Sequence, residues 1–192
     1  MKLVYKGKFN GDPEALPHGE HKPGAVKFKE CENAKTLAML ANGIAVVIII
    51  LLFIVLFLRA GLRAFSLWGC LAAYVALFPH EFLHAICFKE EVYLYTYWSQ
   101  GILFVVGPED MSKGRFVFMS LLPNLVFGAI PFVIFLAFPQ YTFLGTLGAL
   151  AIGMGAGDYY NVFNALTQMP KGARTYLYQF NSYWYIPEAG GK

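Results

Sequence analysis

His80 and His84 stand four residues apart, with Glu81 directly after the first, in the run Pro79-His80-Glu81-Phe82-Leu83-His84. On a helix, residues four apart lie one above the other, so both imidazoles can reach a single metal ion. Glu81 beside them is placed to act as general base on water at that metal. The ligand types point to Zn2+, which brings the pKa of its water to about 7 and makes hydroxide available at neutral pH. A catalytic zinc site of this kind needs a third protein ligand and one open position.

The third ligand is sought among the ionisable residues that interrupt apolar sequence. The chain has nine Glu and three Asp, of which only Glu81 and Asp158 fall inside long apolar segments, and the only histidines there are His80 and His84. An ionisable group in hydrocarbon is costly unless paired or bound, and is read first as functional. Asp158 is therefore expected to be the third metal ligand. Asn124, directly after Pro123, is a candidate to polarise a substrate carbonyl or to hold the ligand shell. Asn161 lies one helical step beyond Asp158 and is a candidate to orient it. An interhelical hydrogen bond at Asn124 and a helix cap at Asn161 are equally open.

Other residues fit less specifically. Pro79 removes a backbone hydrogen bond, and the carbonyl it frees on Val75 could be hydrated and bring water to a metal. Gly153 and Gly157 form a G-x-x-x-G step, with Gly155 between them, that lets their helix approach another closely. His18 and His21 lie in polar sequence and are expected to be solvated. Cys31, Cys70 and Cys87 match neither a zinc ribbon nor a C-x-x-C pair, and their odd number gives no complete disulfide framework.

The elements that must carry these groups are apolar. Of 192 residues, 57% are hydrophobic and only 14% charged, against roughly 25% charged in soluble domains. A bilayer can hide that much apolar surface where one soluble core cannot. The formal charge of +3 gives no reason to expect nucleic-acid binding. Residues 1–35 are polar and lack the apolar run of a signal peptide. Four segments approach the roughly 20 residues needed to span hydrocarbon: 36–58, 64–88, 116–138 and 141–166. Between the second and third, residues 91–106 are rich in β-branched and aromatic residues around Ser99-Gln100-Gly101, which predicts a β-hairpin. The expected fold is an all-α membrane protein of about four transmembrane helices with that small hairpin. Its divisions are a polar tail (1–35), a membrane-embedded metallohydrolase domain (36–168) and a second tail (169–192).

Lysine and arginine set the expected orientation. The two tails and the hairpin region hold 13 of them, Lys192 included, and the opposite side only Arg59 and Arg63. Both termini of a multi-pass cell-membrane protein are then expected on the cytoplasmic side. His80 and Asp158 lie at similar depth in segments running in the same direction, about 24 Å from the outer face at 1.5 Å per residue.

The segment His80-Glu81-Phe82-Leu83-His84-Ala85 and the later Gly157-Asp158 resemble a family of small bacterial membrane proteins described as zincin peptidases, over roughly Leu67 to Ala173. The arrangement is also similar to site-2 proteases, although those carry the later aspartate in an Asp-Gly context and here Tyr159 follows. The resemblance implies zinc held by His80, His84 and Asp158, Glu81 as the base, and peptide-bond hydrolysis. The expected partners are the lipid bilayer and a membrane or membrane-proximal polypeptide, to which the hairpin could offer an edge strand. Two other functions use the same residues. One is a metal-binding membrane protein without catalysis, such as a sensor or ion pathway. The other is a structural membrane protein with a chance HExxH.

Overall fold

The computed structural model describes residues 1–17 and 19–187, so His18 and Lys192 lie outside the described residues. Helix α1 (Ala34–Ala60) begins at Asn33, whose side chain accepts the Thr36 amide at 2.9 Å, and stops at Gly61, which adopts a positive φ of 64°. Between Lys35 and Arg59 it carries no charge. Val46, Val47, Ile50, Leu51 and Ile54 are all exposed, so the helix presents apolar side chains outward along its length. After a tight turn, Ser66 caps α2 (Leu67–Ala85), which runs on through Pro79. Helix α3 (Lys113–Pro123) passes through a wider helical turn at Asn124–Ala129 into α4 (Ile130–Ala137). Helix α5 (Thr142–Met154) is followed, after a break at Gly155, by α6 (Ala156–Gln168).

Helix α5 packs against α1, α2 and α4. Small residues make those approaches possible. A methyl group on Gly148 would lie 2.6 Å from the Phe132 nitrogen and 2.8 Å from the Gly128 oxygen, so the α4 backbone rests directly on α5. Gly69 plays the same part for α2, where a methyl would meet the Phe143 oxygen at 2.8 Å. Phe135, Leu56 and Ala149 close the core between α1, α4 and α5.

Two sheets cover one end of the bundle. In the first, β1 (Lys2–Lys8) pairs in parallel with β3 (Glu91–Tyr97), which pairs antiparallel with β4 (Ile102–Val106), leaving β4 at an edge. The second runs β2 (Val26–Lys27), β7 (Asn181–Tyr185), β6 (Arg174–Tyr178), β5 (Met111–Ser112). Ala34 at the start of α1 packs with Phe9 and Tyr95, and Ala85 at the end of α2 packs with Val92. The chain therefore leaves the first sheet along α1 and returns to it along α2, with α5 packed against both.

The fold is not the expected all-α protein with four spans. It holds two sheets, to which the supposed polar tails contribute β1, β2, β6 and β7. Among the described residues, only two helices are long and apolar enough to cross a membrane, Ala34–Ala64 and Lys113–Ala137. The physical reasons are local. In α2, 19 residues long, Pro79, His80, Glu81 and His84 dilute the apolar run. The fourth expected span breaks at Gly155 into two helices of 13 residues each. The hairpin expected at 91–106 is formed by β3 and β4, but as part of a larger sheet.

Candidate metal centre

Two elements bring His80, His84 and Asp158 together. His80 and His84 project from the last turns of α2, and Asp158 from the first turn of α6, directly after the break at Gly155. His80 Nε2 lies 3.2 Å from Asp158 Oδ2, His84 Nε2 lies 3.2 Å from Asp158 Oδ1, and the two Nε2 atoms lie 3.2 Å apart. All three side chains are largely shielded, with 12%, 8% and 15% of their surfaces exposed.

The protonation pattern makes this cluster unusual. His84 Nδ1 contacts the Met119 carbonyl at 2.9 Å, and a carbonyl only accepts, so the proton of a neutral His84 sits on Nδ1. Its Nε2 is then a bare lone pair aimed at a second ring nitrogen and a carboxylate. A cation among the two ring nitrogens and the two carboxylate oxygens would be met by every one of them. Their spacing fits one: ligands 2.0–2.1 Å from a tetrahedral zinc ion stand about 3.3–3.4 Å from each other. Two imidazoles and a carboxylate are also a donor set that zinc takes.

Glu81 is half-buried beside this group. Its carboxylate and the two histidines offer ligand-type atoms within 4.8 Å of one another. The backbone N–H of Val105, on the edge strand β4, faces the Glu81 carboxylate. A carboxylate this close to the cluster can accept or donate a proton there.

Asn124 is buried, and its Nδ2 donates to Asp158 Oδ2 at 2.7 Å and to the Ser120 carbonyl at 3.0 Å. Asn161 makes no hydrogen bond to Asp158 among the described residues. Gly153 packs on Ile49 and Ala45 of α1 and not on α2, and Gly157 has open space around it. Gly155, between them, is the glycine that touches the site. His21 bonds Tyr176 and packs against the rings of Tyr178 and Tyr183. The Met119 carbonyl is a site group that sequence reasoning missed. The signal for it was Pro123, which has no N–H to bond the carbonyl four residues back.

Residues 73–174 match a protein family described as "putative zincin peptidase". The chain belongs to that family. The matched span holds the whole His80–Glu81–His84 segment, Asn124 and Asp158. That description names a peptidase class and, through the word zincin, points to zinc. No curated protein and no solved structure matches the chain.

Proposed function

We propose that the protein is a membrane-embedded zinc metallopeptidase, with His80, His84 and Asp158 as metal ligands and Glu81 as general base. The observation that carries this is the convergence of two ring nitrogens and both oxygens of one carboxylate at 3.2 Å, with His84 Nδ1 turned away toward the Met119 carbonyl. Zinc held there supplies Lewis acidity, polarising a carbonyl and acidifying water. Glu81 takes a proton from the attacking water and returns it to the leaving nitrogen as the peptide bond breaks. The low exposure of the His80, His84 and Asp158 side chains limits bulk water around these groups, which strengthens the charge interactions among them.

An extended polypeptide is the substrate that the surroundings suit. The edge strand β4 lies against the end of α2, and its Val105 amide faces Glu81. A peptide adding to that edge would gain main-chain hydrogen bonds beside the base. Val105→Pro removes the amide and is expected to impair cleavage without removing zinc; unchanged cleavage would discard the edge strand as the platform.

Placement in the bilayer is supported by the two long apolar helices and by the outward apolar surface of α1. The excess of lysine and arginine near the termini and the sheets favours the cytoplasmic side for both termini. Lipid and a membrane or membrane-proximal polypeptide are then its partners.

The deciding experiment purifies the wild type and Glu81→Gln in detergent and measures zinc by elemental analysis. It also measures cleavage of a library of extended peptides in reconstituted vesicles. Both proteins are expected to hold one zinc, and only the wild type to cleave. Zinc without cleavage in either form points to a metal-binding protein that is not an enzyme, and no zinc in the wild type ends the proposal.

A further inference from the structure

Pro123 and Asn124, at the end of α3, stand behind the ligands and not among them. Proline lacks an N–H, so position 123 leaves the Met119 carbonyl without its helical donor. That same carbonyl accepts the Nδ1 proton of His84 at 2.9 Å. A hydrogen bond of this kind fixes which ring nitrogen is free and how the ring is turned.

Asn124 acts on the neighbouring ligand. Its carboxamide has two N–H hydrogens. One goes to the Ser120 carbonyl at 3.0 Å and the other to Asp158 Oδ2 at 2.7 Å, while Oδ1 accepts from the Tyr159 hydroxyl at 3.4 Å. No donor remains for a substrate carbonyl, which removes the polarising role that its position in the sequence had left open. The wider helical turn Asn124–Ala129 begins at this residue, a form of helix found most often where function demands it.

Gly155 completes the arrangement. A methyl group there would overlap the Asn124 amide oxygen outright, and would lie 2.5 Å from its Cγ and 2.9 Å from its Nδ2. The carboxamide thus occupies the space of a side chain at 155. Gly155 is also where the chain breaks between α5 and α6, three residues before Asp158.

Resting on the reading of His80, His84 and Asp158 as metal ligands, we infer that the Pro123–Asn124 corner is a positioning device for two of them. Pro123 acts on His84 through the freed Met119 carbonyl. Asn124 acts directly on Asp158, and Gly155 must be small to admit it. None of the three touches substrate.

The test is a double-mutant cycle on the purified full-length protein, read as zinc affinity by competition with a chromogenic chelator. Asn124→Ala and Gly155→Ala are each expected to weaken zinc binding by about 10- to 100-fold. Together they should weaken it no more than Asn124→Ala alone, because the smaller side chain at 124 vacates the space that a methyl group at position 155 needs. Asn124→Leu keeps the bulk and removes the donors, and should match Asn124→Ala in affinity. Pro123→Ala restores an N–H that competes for the Met119 carbonyl, and should cost about 10-fold. The zinc-free melting point separates positioning from collapse: the losses in affinity are expected in variants that melt with the wild type. The visible spectrum of the cobalt(II)-substituted protein should also change in the Asn124 variants. Wild-type affinity in Asn124→Leu, or additive losses in the double variant, overturns the inference while leaving a zinc-binding wild type intact. A wild type that binds no zinc overturns the ligand assignment itself.

Discussion

Two polar clusters sit at the sheet end of the helical bundle, and they are built on opposite principles. In the first, Arg174 donates to both carboxylate oxygens of Asp110, at 2.6 and 3.2 Å, and Tyr185 donates to the same group. Beside it, Arg115 donates to Glu109 at 2.5 Å and to the Cys87 carbonyl, while Glu109 also accepts the Lys89 amide at 2.7 Å. Burial works to raise both carboxyl groups, but these hydrogen bonds outweigh it and hold them below their ordinary range. Each acid there has its own cation. In the second cluster Asp158 faces two imidazoles, one of which donates from its far nitrogen to the Met119 carbonyl, and Lys and Arg take no part among the described residues. The lesson is one of completeness. The arginine clusters are self-contained and hold the fold, whereas the histidine cluster gathers two imidazoles and a carboxylate with no Lys or Arg among the described residues, the donor set that the proposed metal would use.

The sharpest way to break this contrast is to remove a ligand. Asp158→Ala and His80→Ala are expected to lose stoichiometric zinc, measured by elemental analysis, while Arg174→Ala keeps it. Equal zinc in all three would erase the distinction. Next in size is Arg115→Ala, which strips the Cys87 carbonyl at the end of α2 and leaves the shielded Glu109 carboxylate without its cation. A loss of about 2–3 kcal/mol in denaturant unfolding is expected.

A third prediction concerns Glu30, which accepts the Ser182 amide at 2.5 Å and ties the N-terminal arm to β7. Burial pushes its carboxyl up to about 6. The folded protein therefore holds that proton more tightly than the unfolded chain. The stabilisation is fully present below the ordinary glutamate pKa and is lost as pH rises through about 6. Melting points taken between pH 4 and pH 8 should fall over that window by the equivalent of roughly 1–2 kcal/mol, and Glu30→Gln should flatten the profile. The smallest effect is expected for Arg174→Ala, about 1 kcal/mol, because the pair is partly exposed and screened.

The residues of the second cluster were legible because ionisable side chains are scarce in apolar sequence. His80, Glu81, His84 and Asp158 stand out with no knowledge of the fold, and the structure places the two imidazoles and the Asp158 carboxylate side by side. Their supports were legible only in part. Asn124 was marked, but with its role open, because counting its donors needs the positions of Ser120 and Asp158. Asn161 was marked on helical spacing alone, and that spacing does not bring it to the carboxylate. Met119 contributes a backbone carbonyl, to which its side-chain identity gives no clue.

The architecture departs from the expected spans where a long apolar run is not one long apolar helix. Gly155 interrupts one such run, and Pro79 with its polar neighbours dilutes another. The sheets were missed for a different reason. Lys2–Lys8 alternates weakly and reads as polar, and it becomes a strand through a parallel partner far along the chain. Arg174–Tyr185 carries a local signal for its strands, two aromatic-rich runs around a turn, although its place after the last apolar segment suggests a tail.

The parallel pairing of β1 with β3 also sets an order of events. Lys2 meets Glu91 across 89 positions, with α1 and α2 between them. During synthesis the first strand has no partner until both helices have been made and the chain has come back. The platform carrying Val105 toward Glu81 is thus finished only after the helix bearing the histidines is in place. A newly made chain acquires its imidazoles before that sheet is complete, and β1 waits longest of its strands to find a partner.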